Sequence, residues 1–127
     1  MKTLFDWVLR IATAVILFQT LFFKFLGAEE SIYIFSALGM EPWGRYMVGI
    51  TELLCVALIL IPRTAAFGAL LSMGVIAGAI MAHLAKLGIE VQGDGGLLFG
   101  LAVTVFLCSG MILWIRRADL LKYLPFR

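Results

Sequence analysis

Charge is scarce in this chain: Asp, Glu, Lys and Arg make up 14% of its 127 residues, against about 25% in an average globular domain. Hydrophobic residues make up 63%, and the mean hydropathy is +1.07. This composition excludes an ordinary soluble domain, and the ten basic residues form no patch that would support nucleic-acid binding. We therefore predict an integral membrane protein whose main partner is the lipid bilayer.

Cysteine and proline are also scarce. Cys55 and Cys108 stand singly in separate apolar runs without C-x-x-C spacing, which excludes a redox-active cysteine pair or a thiolate metal cluster. We expect both to be buried as small apolar side chains. Two of the three prolines, Pro42 and Pro62, stand at the ends of apolar runs and so mark helix boundaries.

Four apolar runs account for most of the chain, and each is close to the roughly 20 residues that a membrane span needs. The runs cover residues 4–26, 43–61, 64–87 and 97–115. This pattern predicts one all-α membrane domain over residues 1–127, a four-transmembrane-helix antiparallel bundle. Between the first two runs, Ile32, Phe35 and Leu38 recur at helical spacing. We expect a short surface helix there, lying on the membrane or folded back over the mouth of the bundle.

The basic residues predict the orientation of this bundle. With the N-terminus inside, seven of the ten lie on the cytoplasmic side: Lys2, Arg10, Arg63, Arg116, Arg117, Lys122 and Arg127. Because cytoplasmic segments are enriched in Lys and Arg, both termini are predicted to be cytoplasmic. Arg10 is expected to extend its guanidinium to the inner interface. The first run is as long as a span and carries polar residues, so we interpret it as a retained helix and not a signal peptide.

Glu52, in the middle of the second run, is the residue on which the functional prediction rests. A carboxylate within a span is expensive, so it usually faces the protein interior and is paired. Lys24 and His83 are the expected partners, since the antiparallel order brings all three residues into the outer half. Arg45 lies two helical turns before Glu52 on nearly the same face, and Gln19 lies about a turn below. We predict a polar pocket formed by these five residues.

Acidic and aromatic residues collect on the predicted outer side of this pocket. The outer mouth is predicted to consist of Glu41, Trp43, Glu90 and Asp94. Carboxylates and an imidazole are metal ligands, but these residues have no recognisable ligand spacing, and we predict no metal.

Two features have alternative interpretations. Lys24 and Glu52 are either a functional pair or a buried ion pair that only fixes helix register, and a buried pair often adds little net stability. In the third run Gly68, Gly74, Gly78 and Ala82 form a small-residue seam, with Gly74 and Gly78 at G-x-x-x-G spacing. Packing inside the bundle is favoured over a homodimer face.

Several motifs resemble the DoxX family of small four-helix bacterial membrane proteins. The resemblance covers residues 18–115 and rests on Phe23-Lys24-Phe25-Leu26, on the stretch 35–45, on Gly49-Ile-Thr-Glu52, on Ala82-His83 and on the glycine-rich stretch 88–96. It implies a four-helix bundle in the bacterial cytoplasmic (inner) membrane, with Lys24, Glu52 and His83 as its polar site.

The resemblance also implies a role in redox chemistry, as an accessory protein or non-catalytic subunit of a quinone- or thiol-linked system. This chain departs from redox proteins in having no cysteine pair and no haem or iron–sulfur ligand set. Electron transfer would therefore need a bound quinone-like molecule or a partner protein. Two alternatives remain open: a structural or assembly partner of another membrane protein, and a small-molecule transporter that works as a homo-oligomer.

Overall fold

Four long helices dominate the computed structural model, which describes residues 2–89, 93 and 95–121. The α-helices are α1 (Lys2–Leu26), α2 (Glu29–Ala37), α3 (Trp43–Leu60), α4 (Ala65–Ala82), α5 (Leu97–Ile115) and α6 (Arg117–Leu121). A 3₁₀ turn over Pro62–Thr64 precedes α4, and a π-helix over His83–Leu87 follows it. Four stretches, containing α1, α3, α4 and α5, are long and apolar enough to cross a membrane. The predicted all-α four-helix membrane bundle, with a short helix between its first two spans, is confirmed.

The long helices pack as an antiparallel ring. α1 packs against α3 and α5, and α4 packs against the same two helices. Their shared core is made of aliphatic and small side chains that are almost completely buried: Leu17, Leu21, Cys55, Ile59, Ala65, Ala69, Val105 and Ile112. Ser72 on α4 and Ser109 on α5 are also buried, and the Ser109 hydroxyl donates to the Ser72 hydroxyl at 3.0 Å. This bond satisfies both hydroxyls within the apolar core.

The tight turn between α3 and α4 brings these helices together at one end. Pro62 cannot continue α3, and the Thr64 hydroxyl donates to the carbonyl of Leu58 at 2.8 Å, which closes the turn. Directly after it, a Cβ added to Gly68 would lie 2.8 Å from the backbone nitrogen of Ile59. Glycine is therefore required there for the close contact between α3 and α4.

A buried ionic network closes the same end of the bundle, called the terminal end below because α1 begins and α5 ends there. Arg10 is 0% exposed, and its Nε donates to Asp6 Oδ2 at 3.0 Å while Nη1 donates to the carbonyl of Ile59 at 3.1 Å. Arg116 Nη2 donates to the same Asp6 oxygen at 2.8 Å, and its Nη1 donates to the carbonyl of Pro62. The expectation that Arg10 extends to the interface is wrong, because carbonyls at the end of α3 and Asp6 bind its guanidinium inside the protein.

The short helix α2 lies across the opposite end of the bundle. This end is called the cavity end, because the cavity described in the next section lies there. It contacts α1, α3 and the π-helix, and it buries Ser31 and Phe35 while Glu29, Glu30 and Tyr33 remain exposed. Of the two placements considered for this helix, the structure adopts the one folded back over the mouth of the bundle.

Candidate functional site

The Lys24–Glu52 pair lies toward the cavity end, between α1 and α3. Lys24 Nζ is 3.1 Å from Glu52 Oε1, and the two side chains are 16% and 4% exposed. This oxygen is therefore neutralised by the ammonium and has no further partner among the described residues. Thr20 donates to Glu52 Oε2 at 3.4 Å and to the carbonyl of Leu17 at 2.9 Å. Because a hydroxyl has one proton, the shorter bond dominates, and Glu52 receives little from Thr20.

Arg45 supports this pair through the backbone of Lys24. It does not line the cavity that is described in the following paragraphs. Its Nε lies 2.8 Å from Glu41 Oε1 and its Nη2 donates to Glu41 Oε2 at 2.9 Å, which makes a two-pronged ion pair. The remaining Nη1 donates to the carbonyl of Lys24 in the last turn of α1. Its guanidinium also lies over the ring of Tyr46, at 4.6 Å from the centroid. Arg45, which belongs to α3, therefore caps the C-terminal end of α1 and fixes the position of the Lys24 backbone.

His83 enters the site where α4 changes to a π-helix, a change that often marks a functional site. Its Nδ1 lies 2.9 Å from the carbonyl of Ala79, and its ring meets the ring of Phe99 edge-on, with centroids 5.6 Å apart. A carbonyl only accepts, so Nδ1 must carry the proton and Nε2 is an acceptor in the neutral ring. His83 is 5% exposed, and Nε2 has no hydrogen-bond partner among the described residues.

A cavity of about 1510 Å³ brings these groups together at the cavity end. Lys24, Glu52 and His83 all line it, and Leu17, Ile76 and Val105 are among the residues that bound it toward the terminal end. α2 contributes Ser31 and Phe35 to the wall that covers it. The cavity is larger than the 300–1,000 Å³ of most ligand pockets, and it is mostly apolar with a few polar groups, as such pockets are.

The cavity is open at the surface of the bundle beside Met47 of α3 and Met81 of α4. Met47 and Met81 line it and are 59% and 68% exposed, and Gly74 and Gly78 line it from α4. A Cβ added to either glycine would meet no atom within 4 Å. The interpretation of the glycine seam as packing inside the bundle is therefore correct for Gly68 and wrong for Gly74 and Gly78, which have open space where a packed neighbour would lie. In a bilayer this side faces lipid.

The other predicted site residues are placed as follows. Gln19 lines the cavity but is largely exposed, and Trp43 lines it at its outer edge with 55% of its surface exposed. Glu41 is occupied by Arg45. Glu90 and Asp94 lie outside the described residues. Thr20 was not predicted, although its position one helical turn before Lys24 places it on the same face of α1.

The site therefore combines a cation, a carboxylate and an imidazole with a large apolar space that opens toward lipid. Such a site can bind a molecule with a polar head and an apolar body. Comparisons of the chain with models of known families, with curated proteins and with solved structures gave no match.

Proposed function

We propose that this protein is a DoxX-like membrane protein that holds a small amphipathic molecule of quinone type in the cavity. It would serve a quinone- or thiol-linked redox system of the bacterial inner membrane as an accessory protein or non-catalytic subunit. The observation that supports this proposal is the placement of Lys24, Glu52 and His83 on the wall of one cavity of about 1510 Å³.

A purely structural role accounts less well for this arrangement. An ion pair that only fixes helix register does not account for a large space beside it, because unfilled space forfeits apolar contacts between the helices. Here the pair borders the cavity and shares it with His83 from a third helix. An amphipathic ligand would fill the apolar volume and place its head beside the three polar side chains.

The proposal is tested by blocking the cavity with a side chain. Gly78→Leu places an isobutyl group in the cavity, since Gly78 lines it and has open space around its Cα. Gly100→Leu is the matched control, because Gly100 is also a helical glycine with no atom within 4 Å of an added Cβ but does not line the cavity. Each protein is purified in mild detergent, and the isoprenoid quinone extracted per mole of protein is measured by chromatography.

We expect wild type and Gly100→Leu to retain quinone at a similar molar ratio, and Gly78→Leu to lose most of it. The same variants are then compared for growth in the presence of a redox-cycling quinone, where only Gly78→Leu should behave like a deletion. Equal quinone content in all three proteins, at the level of an unrelated membrane protein purified in the same way, would overturn the proposal. A stoichiometric protein partner without any quinone would point to the assembly role instead.

A further inference from the structure

We propose that a groove on the surface of α5 binds an anionic phospholipid, with one acyl chain in the groove and the headgroup phosphate on Arg117. The groove has a volume of about 400 Å³ and is called the α5 groove. It is lined by Phe5 of α1, Met73 of α4 and the face of α5 from Phe106 to Ile115. No described residue lines both this groove and the large cavity, so the site is independent of the proposed function.

The length of the α5 groove matches one leaflet of a bilayer. Phe106 and Ile115 are nine residues apart, so the groove extends about 14 Å along the axis of α5. It begins at the terminal end, where Phe5 lies in the first turns of α1 and Ile115 ends α5. Half of a hydrocarbon core of about 30 Å is about 15 Å. An acyl chain of the leaflet at the terminal end therefore fits the groove along its length.

The walls of the α5 groove are apolar and face the lipid. Among the described residues, only apolar side chains and Gly110 line it. Leu107 and Trp114 are 61% and 68% exposed, and Phe5 and Met111 are nearly half exposed. These residues belong to helices that are long and apolar enough to cross a membrane. A hydrocarbon chain from the bilayer is therefore the occupant whose chemistry fits the groove.

A cation lies at the terminal end of the α5 groove. The guanidinium of Arg117 lies over the ring of Trp114, 4.0 Å from the centroid, and its Nη1 donates to the Trp114 carbonyl. Arg117 is exposed, and no carboxylate in the described part of the chain forms an ion pair with it. Arg116, by contrast, is bound by Asp6 and Asp119. The charge of Arg117 is therefore available to a ligand in the groove.

Charge complementarity at the terminal end selects the headgroup. A guanidinium binds phosphate oxygens through paired N–H donors, which every phospholipid can accept. Arg63 adds a second exposed cation that has no ion pair among the described residues, and it follows Pro62, whose carbonyl binds Arg116. Two unpaired arginines at one end of the bundle favour a headgroup with net negative charge, such as phosphatidylglycerol, over the zwitterionic phosphatidylcholine.

Trp114 reports on this site directly, because it lines the groove and contacts Arg117. The chain has three tryptophans, so Trp7→Phe with Trp43→Phe leaves Trp114 alone. This protein is reconstituted in vesicles of phosphatidylglycerol and phosphatidylcholine in which one lipid has brominated chains, which quench tryptophan on contact. The quenching gives the ratio of the two binding constants. Trp7→Phe with Trp114→Phe leaves Trp43, at the cavity end, as the matched control.

We expect phosphatidylglycerol to bind beside Trp114 about fivefold more tightly than phosphatidylcholine, the factor that one basic residue near an anionic surface represents. At Trp43 the ratio should be one or lower, since Glu29 and Glu30 are exposed at that end. A ratio of one at Trp114, or the same preference at both tryptophans, would overturn the proposal. Quenching of Trp114 by neither lipid would also overturn it, because a second copy of the chain or another protein would then cover the groove.

Two variants separate a bound lipid from a general attraction of anionic lipid to the terminal end. Arg117→Gln removes the cation at an exposed position. Gly110→Leu fills the groove without changing any charge, since an added Cβ meets Met73 Cε at 3.7 Å and no other atom within 4 Å. Gly100→Leu is its matched control on the same helix, outside the groove.

We expect the ratio at Trp114 to fall below twofold in Arg117→Gln and in Gly110→Leu, and to remain near fivefold in Gly100→Leu. A fivefold ratio that survives Gly110→Leu would show that the attraction depends on charge alone, and the groove would not be a site. A ratio that survives Arg117→Gln would remove the assigned headgroup contact. If Gly110→Leu does not fold, the result for Arg117→Gln decides the proposal.

Discussion

Lys24 and Glu52 form one ion pair but are not equivalent residues. The Lys24 side chain is 16% exposed and lies in the last turns of α1, whereas the Glu52 side chain is 4% exposed in the middle of α3. A lysine near a helix end can extend its ammonium toward the interface, and a carboxylate in the middle of a helix has no such route. Removal of one partner should therefore have different consequences on the two sides.

We predict that Lys24→Met lowers the free energy of unfolding by about 3–5 kcal/mol, because it leaves the Glu52 carboxylate buried without a counter-ion. Glu52→Gln should cause a clearly smaller loss, since the Lys24 ammonium can turn outward. The double variant should recover most of the stability. Unfolding in mixed detergent–SDS micelles provides these free energies, and equal losses in the two single variants would contradict the prediction.

The double variant also separates function from helix register. If the pair belongs to a ligand site, the stable double variant should lose quinone retention. A double variant that is stable and retains quinone like the wild type would show that the pair only fixes the register of α1 against α3.

Depth along the helix made the Lys24–Glu52 pair predictable, because helix rise and antiparallel order together place the two residues at one level. The same arithmetic failed for Arg10. Its partners include the carbonyl of Ile59, 49 residues away, and backbone carbonyls carry no sequence signal. Asp6, four residues before Arg10, was the only visible hint of its buried position.

At the scale of the helix, the glycines of α4 have two different roles. Gly68 lies against α3 in the closed part of the hairpin, while Gly74 and Gly78 face open space. The G-x-x-x-G spacing alone does not distinguish close packing from a cavity wall, because the pattern records the small size of the residues and not the distance to the neighbouring helix. The change from α-helix to π-helix at His83 likewise has no signal in the apolar pattern of the span.

We predict that Gly68→Ala destabilises the protein by about 1–3 kcal/mol, since the new methyl would overlap the backbone nitrogen of Ile59 and Leu58 Cβ, both at 2.8 Å. Gly74→Ala is the matched control on the same helix. It should be neutral or stabilising by up to about 1 kcal/mol, because alanine favours the helix and meets no atom there. Thermal unfolding in detergent compares the two, and equal melting temperatures would contradict the close approach of α3 and α4 at Gly68.

For the whole molecule, the structure places the start of α1 and the end of α5 together, since Arg116 after α5 binds Asp6 near the start of α1. Which end of the bundle faces the cytoplasm is therefore predicted from the distribution of charged residues. The basic residues of the terminal end predict that this end faces the cytoplasm and that α2 faces outward. The fold class and the approximate spans followed from the apolar runs alone, because helices of this length are the main way for such a chain to satisfy its backbone in lipid.

Cysteine labelling in intact cells tests this orientation. Ser36 on α2 and Ala118 on α6 are exposed, whereas the native Cys55 is buried and Cys108 lies within the membrane span of α5. We expect Ser36→Cys to react with a membrane-impermeant maleimide added outside, and Ala118→Cys to react only after the cells are permeabilised. The reverse pattern would show that the cavity end faces the cytoplasm.

The opening of the cavity beside Met47 and Met81 has a consequence for how ligand occupancy depends on the membrane. A molecule that enters between Met47 and Met81 comes from the lipid phase, where an amphiphile is concentrated far above its level in water. Occupancy then follows the mole fraction of the ligand among the lipids, and a modest intrinsic affinity is enough to keep the cavity filled. The same protein would therefore gain or lose its ligand as the composition of the membrane changes, without any change in the cytoplasmic or external concentration.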